Sequence, residues 1–225
     1  MRVGLFGGTF NPVHNGHLAV AKEVKDGFPL DRIIFFPSAI PPHKETKVVV
    51  NADDRINMLR IAISATPDFS ESFAISDIEL KRSGPSYTID TVYQYQSKMA
   101  DDNQLYLIMG IDAFFEIDTW KSYLELFKII PIIVMSRPQN EQHFNGAKWK
   151  TLETFIQSNI SDDYEYSFSE KKYSHSENMP IHIYDVTPID ISATKIRKRI
   201  KKGMPVQPML PPGVEGYIKS KGLYT

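Results

Sequence analysis

Two histidines three residues apart, His14 and His17, flank Gly16 where a glycine-rich turn runs into an apolar-periodic helix. The turn is Gly7-Gly8-Thr9-Phe10-Asn11-Pro12. Imidazole N–H groups donate hydrogen bonds. The first N–H groups of a helix have no partner within it, so such an entrance favours an anion, phosphate above all. Gly7 and Gly8 lack a Cβ and let the main chain approach a ligand closely. The spacing is not the G-x-G-x-x-G of dinucleotide binding, and no Gly-Lys-Ser/Thr follows as in a P-loop. On the residues alone, an ordinary strand–turn–helix junction with two incidental histidines is the alternative reading.

Other groups suited to phosphate or ribose end further apolar runs. His43 and Lys44 sit on the Pro-rich loop that follows Phe36. Read alone, Lys44 is equally a solvated lysine. Asp112, in Gly110-Ile111-Asp112, stands where a strand end lets a carboxylate accept from ribose hydroxyls. Arg137 closes another strand and suits a phosphate. Ser192, Thr194 and Arg197 mark a second helix entrance, where Ser192 also serves as an N-cap. Ser86 and Thr88 read as caps of a third. Arg55 reads as an exposed helical arginine and His182 as structural. Phe114, Phe115, Ile117 and Trp120 have core packing as their default role. The basic run from Lys195 to Lys202 is either a solvated face or a nucleic-acid patch.

The elements that must position these groups follow from periodicity. Val3–Phe6, Arg32–Phe36, Gln104–Met109, Ile129–Met135 and Ile181–Val186 are apolar runs of the kind buried in a parallel sheet, with a shorter one at Phe73–Ser76. Between them come helices: Leu18–Val24, with Leu18, Ala21 and Val24 inward; Asp53–Ala65, with Ile56, Leu59 and Ile63; and one after Thr88, with Ile89, Val92 and Met99. Alternation of strand and helix predicts an α/β, Rossmann-like, doubly wound and mostly parallel sheet with helices on both faces. Residues 139–180 break the pattern. They are polar and turn-rich, with one helix carrying Trp149, Leu152 and Phe155, and are expected to be partly mobile.

At 225 residues one domain is the default. A formal net charge of -1 gives no global pull towards nucleic acid or anionic membrane. There is no cysteine, which excludes disulfides, cysteine nucleophiles and Cys-ligated zinc. No signal-peptide pattern and no bilayer-length apolar run is expected.

His14-Asn15-Gly16-His17 resembles the HxGH signature of the nucleotidylyltransferase superfamily. The longer run from Gly7 to Leu18 is similar to bacterial nicotinate-mononucleotide adenylyltransferases, with Asn11 where that family has Asp. Pro41-Pro42-His43-Lys44, Pro85-Ser86-Tyr87-Thr88, Gly110-Ile111-Asp112 and Ile191-Ser192-Ala193-Thr194-Lys195-Ile196-Arg197 resemble its PPHK, PSYT, GxD and ISxTxIR segments in order. The resemblance covers nearly the whole chain except 139–180, which reads as an atypical insertion within a single nucleotidylyltransferase domain of residues 1–225.

The resemblance implies adenylyl transfer from ATP to nicotinate mononucleotide, giving deamido-NAD and pyrophosphate. His17 would be the main catalytic group, with His14 and Arg197 assisting. ATP would lie against Gly7, Gly8, Thr9, Phe10, His14, Gly16 and His17, with Gly110 and Asp112, and with Ile191, Ser192, Thr194 and Arg197. His43, Lys44 and Arg137 would meet pyrophosphate or the mononucleotide phosphate. Thr88, Trp120 and Lys121 would meet the nicotinate ring, Lys121 standing where the family often has Tyr. Mg2+ is expected on the ATP phosphates and not in a protein cage. The expected partners are ATP and nicotinate mononucleotide, without nucleic acid or membrane, in the cytoplasm, and a homo-oligomer is compatible. The alternatives are transfer to the amide mononucleotide, a sister transferase acting on phosphopantetheine or a polyol phosphate, and a non-catalytic nucleotide-binding regulator.

Overall fold

Each long apolar run becomes a strand, and each three-to-four periodic segment becomes a helix. The computed structural model describes residues 1–40, 49–66, 71–100, 102–136 and 147–225. In order they form β1 (Arg2–Gly8), α1 (Asn15–Gly27), β2 (Arg32–Pro37), α2 (Ala52–Ser64), β3 (Phe73–Ile75), α3 (Thr88–Gln96), β4 (Gln104–Gly110) and α4 (Ile111–Phe114). A 3-10 turn at Ile117–Thr119 leads to α5 (Tyr123–Ile129), β5 (Ile132–Ser136), α6 (Ala147–Asn159), β6 (Glu165–Ser167), β7 (Lys172–Ser174) and β8 (Ile181–Asp185). Then come α7 (Ala193–Lys201), a 3-10 turn at Gln207–Met209, and α8 (Val214–Ser220). The sheet order is β3-β2-β1-β4-β5-β8-β7-β6. Pairing is parallel for β2–β3, β4–β5 and β5–β8, with registers such as Ile34 to Ala74, Ile108 to Ile133 and Val134 to Ile183. The fold is the expected mostly parallel, Rossmann-like one.

The chain divides into two compact units. One holds Met1–Leu5 and Tyr87–Pro188. Its centre is β5, buried along all five residues, as an apolar run without alternation requires. Helix α3 starts at Thr88 with Tyr87 as its N-cap, and the Tyr87 side chain makes no capping hydrogen bond. It ends at Gln96, before Met99, so Tyr95 completes its buried stripe with Ile89 and Val92.

Of the stretch expected to be partly mobile, residues 147–180 form regular elements. Helix α6 buries Leu152 and Ile156. After it, β6 and β7 form an antiparallel hairpin, and β7 pairs antiparallel with β8, placing Tyr173 opposite Ile181. Tyr164 and Tyr173 are buried, and burial pushes both phenols well above their ordinary pKa.

The second unit holds Phe6–Ser86 and Ile189–Thr225. Helix α1 presents Leu18, Ala21 and Val24 inward as its spacing predicts, and it begins at Asn15, three residues earlier than the apolar stripe. Helix α2 is capped by Asn51, whose side chain accepts from the Asp53 N–H at 3.0 Å. Phe6, Phe10 and Phe35 pack with centroids 5.5–5.9 Å apart beneath the glycine-rich turn.

Candidate active site

The entrance of α1 is built by its own two histidines. His14 is the N-cap, and its main-chain N–H donates to His17 Nδ1 at 3.2 Å. An Nδ1 that accepts carries no proton, so the neutral ring presents its N–H at Nε2. The two imidazoles stack at 3.6 Å, and Phe10 meets His17 edge-on at 5.1 Å. Gly16 makes this stack feasible, because a Cβ there would sit 3.0 Å from His14 Nδ1. The result is a donor of fixed direction at a helix N-terminus.

The glycines of the turn have a second reason to be glycine. A Cβ at Gly7 would lie 2.4 Å from the Phe36 ring, and one at Gly8 would lie 3.0 Å from the Phe10 ring. The space next to them is filled by aromatic packing. Phe10 itself is buried, with a left-handed backbone, so any nucleotide contact it makes runs through its main chain.

Behind the turn lies a residue that the sequence reading placed on the surface. Arg55 is 1% exposed. Its Nη1 donates to the Thr9 carbonyl at 2.9 Å, Nη2 to that of Ala39 at 3.2 Å and Nε to that of Val50 at 3.1 Å. One guanidinium fork thus ties three loop segments. Burial lowers its pKa from the ordinary arginine value, and the charges of Tyr224 and Glu79 oppose that shift. The missed signal was periodicity: Arg55, Met58, Leu59 and Ala62 share one helical face, and all are buried. Ser86, expected as a cap, instead accepts from the main-chain N–H groups of Ala39 at 2.8 Å and Ile40 at 3.2 Å.

Asn11 joins the turn to the far end of the chain. Its Oδ1 accepts from the Val50 N–H at 3.2 Å and from the Tyr224 hydroxyl at 2.8 Å. Both partners are donors, so a neutral amide oxygen suffices where the resembling family carries a carboxylate. The Asn11 carbonyl accepts from Arg197 Nη1 at 2.8 Å, and Arg197 Nη2 donates to Thr194 Oγ1 at 3.2 Å. Ser192 caps α7 by accepting from the Lys195 N–H at 3.2 Å. Ile191 lies near Gly16, its Cβ 3.7 Å from where a Gly16 Cβ would be. The two helix entrances picked out in the sequence, at His17 and at Ser192, are therefore brought together within this unit.

In the other unit the residues assigned to a ring also gather. Trp120 ends the 3-10 turn, half-buried, with its N–H bonded to the Ile117 carbonyl at 2.9 Å. Lys121 Nζ lies 3.2 Å from Asp90 Oδ1 and 4.7 Å above the Tyr87 ring. The Thr88 and Trp120 segments are thus neighbours. The charge of Lys121 is already matched by Asp90, which alters its expected role as a partner for a ligand carboxylate. Phe114 and Ile117 are core, as expected. Asp112 is exposed in the first turn of α4, and nothing lies within 4 Å of a Cβ built on Gly110, so the end of β4 is open to a ligand. His43, Lys44 and Arg137 lie outside the described residues. Among the described residues no group of three or more His, Asp or Glu is placed to hold a metal ion, and no helix is long and apolar enough to cross a membrane.

A family described as cytidylyltransferase-like matches residues 5–199 of this sequence, and the chain belongs to it. A relative from Desulfatibacillum aliphaticivorans is 38% identical over 226 residues, spanning 100% of both chains, 139–180 included. One from Geotalea daltonii is 38% identical over 224 residues, covering 100% of this chain and 98% of its own. Both are named probable nicotinate-nucleotide adenylyltransferase. Among solved structures, the Plasmodium falciparum nicotinic acid mononucleotide adenylyltransferase complexed with NaAD superposes with a TM-score of 0.73 at 17% identity, covering 99% of this chain and 97% of that one. That likeness is one of fold.

Proposed function

We propose that this chain is a nicotinate-nucleotide adenylyltransferase of NAD biosynthesis, a single nucleotidylyltransferase over residues 1–225. The observation that carries the reading is the His14–His17 pair, oriented by its own helix entrance, in a chain whose full-length relatives bear that name. An oxygen of the mononucleotide 5′-phosphate attacks the α-phosphorus of ATP. A new P–O bond forms, the bond from the α-phosphorus to the bridging oxygen breaks, and pyrophosphate leaves. The attacking phosphate is already ionised near neutral pH, so no strong base is needed. The protein's task is to align two anions and offset the charge of the transition state. His17 Nε2–H is the group for that charge, with His14 stacked behind it.

Arg197, steadied by Asn11, serves the triphosphate from the second helix entrance with Ser192 and Thr194. Gly110 and Asp112 serve the adenosine ribose, and His43, Lys44 and Arg137 the remaining phosphate oxygens. A divalent cation, Mg2+ in this reading, travels on the ATP phosphates and neutralises part of their charge. The partners are ATP and nicotinate mononucleotide, in the cytoplasm.

The ring stacks on Trp120, which does not discriminate acid from amide. Main-chain N–H groups near Thr88 favour the carboxylate, because a charge-assisted bond is roughly twice as strong as a neutral one. Product analysis with ATP and either mononucleotide tests the whole assignment. Deamido-NAD and pyrophosphate are expected, with kcat/KM at least about tenfold higher for the acid. Equal values, or a preference for the amide, would overturn the substrate while leaving adenylyl transfer intact. Turnover only with phosphopantetheine would overturn the pyridine-nucleotide acceptor altogether and again leave adenylyl transfer intact. Arg197→Ala should raise the KM for ATP by roughly tenfold or more, the scale of a lost bond to a charged group. An unchanged KM for ATP would remove the arginine from the triphosphate site.

A further inference from the structure

Residue Asn159, in the stretch that breaks the pattern of the chain, bonds to a residue before Trp120 and to one after it in the sequence. It is the last residue of α6. Its Nδ2 donates to Asp118 Oδ2 at 3.1 Å, two residues before Trp120. Its carbonyl accepts from the Tyr123 hydroxyl at 2.9 Å, three residues after. The connection between these anchors is short and constrained. The Trp120 main-chain N–H is spent on the Ile117 carbonyl, and Ser122 is held in a left-handed backbone at φ 52°. One turn earlier on α6, Phe155 meets the Phe114 ring at 5.8 Å and the Phe115 ring at 5.3 Å, so the helix is seated by apolar contacts on the same segment. Leu152 and Ile156, on the same face of the helix, are buried in the core.

We infer that Asn159 is a positioning residue for the acceptor mononucleotide. By clamping Asp118 and Tyr123 it sets the direction of the Trp120 indole, and so the affinity for the ring. This rests on the proposed role of Trp120. Helix α6 is thereby a working wall of the acceptor site, although none of its residues is assigned to touch substrate. An amide is suited to the post, since it gives an N–H to a carboxylate. A carboxylate at 159 would set two like charges face to face.

The test is a pair swap. Asn159→Asp should raise the KM for nicotinate mononucleotide about tenfold, with kcat and the KM for ATP within about twofold of the parent. Adding Asp118→Asn inverts donor and acceptor, leaves the main-chain bond from Tyr123 untouched, and should return the KM to within about twofold of the parent. The milder Asn159→Ala, which removes the bond without adding charge, should raise it about threefold. It serves in place of Asn159→Asp if that variant does not fold.

The sequence has two tryptophans, so a Trp149→Phe background leaves Trp120 as the only indole emitter. In that background Asn159→Asp should shift the emission of the ligand-free protein, and the double variant should reverse the shift. Trp120→Ala separates the two ideas. If it leaves the mononucleotide KM unchanged, the ring-stacking reading fails. If it raises the KM while Asn159→Asp moves neither KM nor emission, stacking stands and the positioning inference is overturned. Failure of the double variant to restore the parent values would also overturn it.

Discussion

Replacing His17 with alanine should lower kcat by roughly a hundred- to a thousand-fold and leave the affinity for ATP nearly unchanged. That is the typical cost, about 2.7–4 kcal/mol, of losing one preorganised donor aimed at charge that develops in the transition state. The geometry explains why the loss should fall on turnover. His17 is held by a hydrogen bond at Nδ1, by the His14 ring stacked 3.6 Å away and by the edge of Phe10. It needs no reorganisation as the reaction proceeds. In the proposed site ATP has many other contacts, so its ground-state binding should depend little on one imidazole. The substitution also takes away the acceptor of the His14 N–H, a loss of about 1 kcal/mol. In a chain of this size that lowers the melting temperature by only about 2–4 °C, so the variant should be folded when assayed. Single-turnover kinetics with saturating substrates is the measurement. Turnover within about threefold of the parent would remove His17 from the chemistry.

Arg55→Met should be the most damaging substitution for stability among those considered. The methionine keeps an unbranched apolar stem and removes the fork. Three carbonyls, of Thr9, Ala39 and Val50, then lose their donor in a region where Arg55 is 1% exposed. An unsatisfied buried acceptor costs about 1–3 kcal/mol, and some of the three will find water as the loops relax. A net loss of about 3–5 kcal/mol is expected, which corresponds to a fall in melting temperature of roughly 6–20 °C. Arg55→Lys should recover little, since an ammonium on a flexible stem cannot reproduce three fixed donor directions. Calorimetry of both variants checks this. A melting temperature within about 3 °C of the parent for Arg55→Met would mean that the three loops are held by other contacts.

Much of the fold could be read from the chain because burial on both faces leaves a plain trace. β5, buried along its whole length, lies almost wholly in the run Ile129–Met135 that was legible as a strand; β8, buried at Ile181 and Ile183 only, was legible too. The hairpin of β6 and β7 left no such trace. Each strand is three residues long, too short for alternation to declare itself, and its sequence is rich in Ser, Tyr, Lys and Glu. The histidine pair was legible because its geometry is local: a glycine, a helix start and a spacing of three. Arg55 had only the trace of its helical face, since its partners are main-chain carbonyls of other segments, and Asn11 had none, since Arg197 and Tyr224 follow it by 186 and 213 residues. Lys121 was legible as a charge near a ring site, yet its partner Asp90 lies 31 residues away in the sequence. Nothing in the local sequence points to that pairing.

The Asn11 linkages have a consequence for the order in which the turn is completed. Arg55 and Val50 are made soon after the histidine turn, but Arg197 follows Asn11 by 186 residues and Tyr224 by 213. At synthesis rates of about 5–20 residues per second, the second interval is roughly 10–40 s. For that time the emerging segment holds its histidines with only the early anchors. A nascent chain therefore exposes the turn, with Asn11 lacking both late partners, long before the Arg197 proposed to meet a triphosphate has been made. Ribosome-bound chains arrested before Arg197 should accordingly show the glycine-rich turn open to proteolysis, and released chains should show it closed.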